Sequence, residues 1–179
     1  MDKNLQSHLI EKCKNNEAKA QMQLYDLYCK AMYNVACNFV KDADVAQDVM
    51  QEAFIKAFKK IDTYNGSASF GSWLKKIVIN QSLDWLKKQK LDIVAIDKEV
   101  ISIVDEGNWE VENEIGLEVI YRCIEQLPQK CKNVVKLYLL EGYDHQEVAQ
   151  ILQISEGSSR SQLSRGKNRL KELLTPSRL

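Results

Sequence analysis

Glu141-Gly-Tyr-Asp-His-Gln-Glu-Val-Ala-Gln-Ile-Leu-Gln-Ile-Ser-Glu-Gly-Ser-Ser-Arg-Ser-Gln-Leu-Ser-Arg-Gly-Lys167 reads as a short helix, a tight turn and a second, basic helix. That order is the sequence form of a helix-turn-helix, whose second helix enters the major groove of DNA. Asp144 stands where it can cap the first helix, with Glu147 in the capping-box position. Val148, Ala149, Ile151 and Leu152 supply that helix with a buried face. Ser155 can cap the second helix, expected over residues 156–174 before Pro176 stops it.

The wheel of the second helix shows how it would be used. At about 100° per residue, Ser159, Leu163, Gly166, Leu170, Leu173 and Leu174 gather on one small or apolar side. Opposite run Ser161, Ser164 and Asn168, short polar side chains that allow close backbone approach. Arg160, Lys167 and Lys171 flank this stripe on one edge, and Ser158, Arg165 and Arg169 on the other. Two basic rails around a small polar stripe suit a helix in a groove, with the rails reaching phosphates on both walls. Basic residues near a helix C-terminus also suit the helix dipole, but these exceed what capping needs.

Outward from this motif, composition sets limits. The 179 residues carry no net charge, which argues against indiscriminate nucleic-acid binding. The neutrality is not uniform. Residues 1–90 hold fourteen basic and ten acidic side chains (+4), residues 91–121 one and nine (−8), and residues 122–179 ten and six (+4). Two mildly basic blocks around an acidic segment point to two domains and a linker, expected at 1–90, 91–113 and 114–179.

Five cysteines (13, 29, 37, 123 and 131) include no Cys-x-x-Cys pair, and His8 and His145 lack ligand spacing to them, so no metal is expected. Cys29 and Cys37 fall on a helical pattern as small buried apolar residues. No signal peptide opens the sequence and no apolar run approaches the roughly 18 residues of a membrane span, so a cytoplasmic location without membrane insertion is expected. No glycine-rich phosphate loop or histidine–nucleophile spacing is present, so neither an enzyme nor a cofactor is expected.

Periodicity predicts an all-α chain. Helices are expected over 3–14, 17–40, 43–61 and 70–90, then 114–126, 128–141, 144–152 and 156–174, with Pro128 in a first turn. Two of them carry surfaces that a self-contained bundle does not require. On the 43–61 helix, Asp48, Gln51, Glu52 and Ile55 share a face opposite a wide apolar arc. An aliphatic inside an acidic patch is either an ordinary exposed residue or a docking site with charge steering and an apolar centre. On the 70–90 helix, Trp73, Lys76, Asn80, Asp84 and Lys87 share one face, away from Phe70, Leu74, Ile77, Val78, Gln81 and Trp85. A ring, cations and amides in one row suit capture of unstacked bases, and Tyr64 and Asn65 in the preceding Asp62-Thr-Tyr-Asn-Gly-Ser-Ala-Ser69 loop can wall a pocket for a flipped base. Trp73 could equally be a bundle core residue.

Asp48-Val-Met-Gln-Glu-Ala-Phe54 and Ala68-Ser-Phe-Gly-Ser-Trp-Leu-Lys-Lys-Ile-Val-Ile-Asn80 resemble region 2 of the extracytoplasmic-function (ECF) sigma factors of the sigma-70 superfamily. Ile124-Glu-Gln-Leu-Pro128, the helix-turn-helix and Leu163-Ser-Arg-Gly-Lys-Asn-Arg-Leu170 resemble region 4. The resemblance implies two helical domains joined by the acidic linker, and a protein that carries core RNA polymerase to promoters. It places Asp48, Gln51, Glu52 and Ile55 on the polymerase β′ clamp. It places Tyr64, Asn65, Phe70, Trp73, Lys76, Asn80 and Asp84 at the −10 element. It places Ser158, Arg160, Ser161, Ser164, Arg165, Lys167 and Arg169 at the −35 element, with region 4 also touching the β flap. It further implies an anti-sigma factor as partner, and a monomer with little promoter affinity when free.

Several residues depart from the family pattern. Gln153 stands where glycine commonly ends the first helix of the motif, implying left-handed strain. Ser159 replaces an aliphatic and should weaken packing slightly, and Gln162 and Gly166 occupy positions often basic or alanine. The linker acids Asp105, Glu106, Glu110 and Glu112 are expected to repel duplex DNA. From the residues alone, two other classes stand beside this one: an operator-binding regulator acting as a symmetric dimer, and a helical module that binds only protein.

Overall fold

The computed structural model describes residues 3–91 and 116–175, all of them helix, turn or connecting loop, as an all-α chain requires. The expectations for the acidic segment lie outside the described residues. The chain divides into two compact units, 1–96 and 97–179.

The first unit packs α1 (Lys3–Lys14), α2 (Ala18–Phe39), α3 (Ala43–Lys59) and α4 (Phe70–Leu91), with a short 3-10 turn at Ile61–Thr63. The brief link between α2 and α3, and the tilted ring contact of Tyr25 with Phe54 (centroids 4.8 Å apart), make an antiparallel hairpin. Asp42 caps α3 by accepting from the amides of Asp44 and Val45 at 2.9 and 3.1 Å. Leu24, Ala36, Ala46, Ala53, Leu74, Val78 and Ile79 are fully buried between the helices. The alanines let the helices approach, and each large aliphatic contributes about 1.5–3 kcal/mol by leaving water. Leu9, Ile10 and Cys13 seat α1 on this core. Burial pushes the Cys13 thiol up to about 11, which leaves it inert as a nucleophile. Cys29 and Cys37 correct the reading of them as buried: the first is half-buried and the second exposed. Eight residues apart, they lie about 80° from each other on the wheel, and the buried face of α2 is carried instead by Leu24, Met32, Val35, Ala36 and Phe39.

The second unit holds α5 (Leu117–Glu125), α6 (Gln129–Val135), α7 (His145–Leu152) and α8 (Glu156–Leu174). Pro128 precedes α6 as its cap residue rather than lying within its first turn. The helix expected to continue to residue 141 widens into a π turn at Lys136–Leu140, where the Glu141 amide donates to the Lys136 carbonyl at 3.0 Å. Gly142, at φ +76°, then turns the chain into α7. Glu125 ties α5 to the next helix through ion pairs to Lys132 (3.3 Å) and to the buried Lys136 (2.5 Å).

Helix α8 lies on α6, α5 and α7 through Ser159, Leu163, Gly166 and Leu170, all buried. At Gly166 the approach is closest. A β-carbon there would sit 2.6 Å from Val135 Cγ2 and 3.6 Å from Cys131 Cβ. Valine is short and stiff, so the helices would have to part. Gly166→Ala gains about 1 kcal/mol of helix propensity against an overpacking cost of about 1–3 kcal/mol. The variant should be less stable in urea by up to about 2 kcal/mol, despite the better helix former. A stabilised variant would show that this contact is looser than described.

Candidate nucleic-acid and partner interfaces

In the second unit, local hydrogen bonds set the two helices of the motif. The Asp144 carboxylate accepts from the Glu147 amide at 2.8 Å while Glu147 accepts from the Asp144 amide at 3.0 Å, completing the expected capping box. Ser155 accepts from the Ser158 amide at 3.1 Å and starts α8. Between them Gln153 takes φ +57°, the left-handed conformation that its position foretold. With Ser159, Leu163, Gly166 and Leu170 turned inward, the opposite side of α8 is open. Arg160, Ser161 and Arg169 are exposed, and Ser158, Ser164, Arg165 and Lys167 are half-buried along the same side. Arg160 pairs with Glu156 at 3.8 Å and Arg169 with Glu172 at 2.6 Å. Exposed pairs of this kind are worth about 0–1 kcal/mol, so a phosphate can replace the carboxylate.

Ser159 departs from the expectation of weakened packing. It is fully buried, and its hydroxyl lies 2.9 Å from His145 Nδ1. The His145 ring also stacks on Tyr138 with centroids 4.6 Å apart. The serine is thus a specific lock between α7 and α8. Its burial leaves no approach for a substrate, so this serine–histidine pair is structural. Sequence reasoning missed it because fourteen positions separate the partners. The clue was a polar residue on an otherwise small and apolar face, which must find a partner when buried. Burial and then the neighbouring Arg160 hold His145 below its ordinary value of 6.5.

In the first unit, Asp48, Gln51, Glu52 and Ile55 are all exposed on α3, and Ile55 leaves 54 % of its surface to solvent. On α4, Lys76, Asn80 and Asp84 are exposed and Trp73 is half-buried, in one row. Asp84 lies 3.8 Å from Lys87 on the same helix. Phe70 is a core residue, 1 % exposed, and enters this region as the support beneath Tyr64 and Trp73. The rings of Tyr64, Phe70 and Trp73 form a mutual cluster with each pair of centroids 5.5 Å apart. Asn65 closes the loop on itself by accepting from the Ser67 amide at 3.0 Å, and the Tyr64 hydroxyl donates to the Ala68 carbonyl at 2.8 Å. Gly66, at φ +77°, makes that turn possible.

Behind this loop opens a cavity of about 620 Å³, lined by residues 64–70 and by Gln6, Ser7, Ile10, Glu11 and Lys14 of α1. The α1 wall was not anticipated. Its residues lie some fifty positions before the loop, and no local pattern links the two. The volume lies within the usual range for ligand sites and the lining mixes amide, hydroxyl and charged groups, which suits a polar, flat ligand such as a base.

Two family profiles match the chain. Sigma-70 region 2 matches residues 24–91 and Sigma-70, region 4 matches residues 117–170. The ECF RNA polymerase sigma-E factor of Escherichia coli (strain K12) is 28 % identical, the alignment covering 94 % of this chain and 93 % of that one. The ECF RNA polymerase sigma-E factor of Haemophilus influenzae is 27 % identical, with 94 % of both chains covered. Among solved structures, the sigma factor RpoE in complex with the anti-sigma factor NepR from Bartonella quintana superimposes with a TM-score of 0.61 at 25 % identity, over 88 % of this chain and 98 % of that one. CnrH in complex with the cytosolic domain of CnrY shares the fold, with a TM-score of 0.59 at 20 % identity over 93 % and 94 % of the two chains. No described helix is long and apolar enough to cross a membrane.

The His145 lock makes a pH prediction. A histidine whose pKa is lower folded than unfolded takes up a proton on unfolding. Its contribution to stability is complete above the unfolded value near 6.5 and is lost as pH falls through the depressed folded value. Thermal unfolding should therefore show a loss of stability as pH falls below about 6.5, and His145→Gln should reduce that loss. Equal pH dependence in the two proteins would remove His145 from this role.

Proposed function

This chain belongs to the sigma-70 family as an ECF RNA polymerase sigma factor, not an enzyme, and we propose a division of labour among its surfaces. The exposed α3 face of Asp48, Gln51, Glu52 and Ile55 docks on the β′ clamp of core RNA polymerase. The aliphatic supplies the apolar centre, and the surrounding carboxylates steer a basic partner. The Trp73, Lys76, Asn80 and Asp84 row, with Tyr64 and Asn65, holds the −10 element as its strand separates. The cavity behind the loop takes a base out of the stack. The open side of α8 enters the −35 major groove: Ser161 and Ser164 lie against the bases, while Ser158, Arg160, Arg165, Lys167 and Arg169 reach the phosphates. The second unit also meets the β flap.

Opening DNA in this way forms and breaks no covalent bond in the protein. An unpaired, flipped nucleotide binds the first unit and a paired one does not, so binding shifts the equilibrium toward the open state. Each unpaired base costs a few kcal/mol, which stacking on Tyr64 and Trp73 at about 1–3 kcal/mol per base offsets. Domains at 1–90 and 114–179 with a linker at 91–113 fit this plan, as does a cytoplasmic monomer held by an anti-sigma factor until needed. The observation that carries the reading is the pairing, in one chain, of an outward small-polar stripe with basic flanks on α8 and an aromatic–amide row on α4.

Run-off transcription with bacterial core polymerase on a randomised promoter library tests it. With the protein present, transcripts should share two upstream motifs at fixed spacing, and Ile55→Asp should abolish them. Arg160→Ala should weaken promoter binding on all sequences and lower the salt slope by about 1. A discrete footprint from the protein alone, with no transcripts, would overturn this function.

A further inference from the structure

Gln81 is absent from both surfaces of the first unit, yet its side chain touches one and its backbone carries the other. It follows Asn80 on α4 and is 8 % exposed. Its amide oxygen accepts a hydrogen bond from Lys56 Nζ, and its amide nitrogen donates to Glu52 Oε2. Only one orientation of the amide satisfies an ammonium and a carboxylate together. Glu52 and Lys56 lie one helical turn apart on α3, on the same flank of the exposed Ile55.

A free glutamate at the surface samples many rotamers, and fixing it on docking costs roughly 0.5–1.5 kcal/mol. A buried amide that already holds the carboxylate removes that cost before the partner arrives. Charge-assisted hydrogen bonds are about twice as strong as neutral ones, so the hold is firm. The bond to Gln81 engages Oε2 of Glu52, which leaves Oε1 for a partner. We propose that Gln81 is a positioning residue for polymerase docking, holding Glu52 beside Ile55 in the arrangement that the clamp meets. The assignment rests on α3 being the docking face.

A double-mutant cycle on the full chain tests it, with affinity for core RNA polymerase read by fluorescence anisotropy. Gln81→Met keeps the buried volume but cannot hold either charge. Its affinity should fall about two- to twelvefold, the factor that corresponds to one long side chain no longer held. Glu52→Ala should also weaken binding, and Gln81→Met should then add nothing on that background. A bridge that merely braces α3 against α4 would act through the whole face, so an equal further loss on the Glu52→Ala background overturns the proposal. So does an unchanged affinity for Gln81→Met or for Glu52→Ala. Should Gln81→Met fail to fold, Gln81→Glu keeps the shape and the Lys56 contact while setting a like charge against Glu52. It should lose affinity by a comparable factor, and unchanged binding would count against the proposal equally. Ile55→Asp separates the two levels: its loss of binding keeps the docking face even where Gln81 proves silent, and its normal binding removes the face itself.

Discussion

The contact of Gly166 with Val135 governs how the recognition helix is held. A helix offered to DNA can be gripped along one side only. On α8 that side consists of Ser159, Leu163, Gly166 and Leu170, small enough at two positions for α6 and α7 to come close. Narrow seating leaves the remaining circumference to short polar and basic groups. A bulkier face would raise the helix off its support and tilt the arginine-bearing sides. The His145–Ser159 bond adds direction to this close approach, since hydrogen bonds fix an orientation that apolar contacts leave free.

The first unit solves a related problem with two helices. Its α3 and α4 pack against each other through alanines and branched aliphatics and present their outer sides separately, one acidic with an apolar centre, the other aromatic and amide-bearing. Phe70 shows how the layers depend on each other. Its buried ring supports Tyr64 and Trp73, so the core helps to set the surface on which bases are proposed to stack. Gln81 does the same from within α4 for Glu52 on α3.

Much of this was legible in the residues. The 3.6-residue period gave the α-helices among the described residues, Asp144, Glu147 and Ser155 gave the starts of α7 and α8, and Gln153 announced a left-handed turn. Those signals are local, and local geometry follows from neighbours in sequence. What escaped was side-chain pairing across elements: Ser159 with His145, Gln81 with Glu52 and Lys56, and α1 with the 64–70 loop. A helical wheel shows which residues face inward but not what they meet. The π turn escaped for another reason, because one extra residue in a helix leaves almost no mark on periodicity.

Strand opening is what these surfaces would do together, and permanganate reactivity of thymines across a promoter's −10 element measures it directly. These thymines should become reactive only when core polymerase and this protein are both present, and Trp73→Ala combined with Asn80→Ala should suppress the signal while polymerase binding persists. Reactive thymines with the double variant, or with polymerase alone, would contradict it.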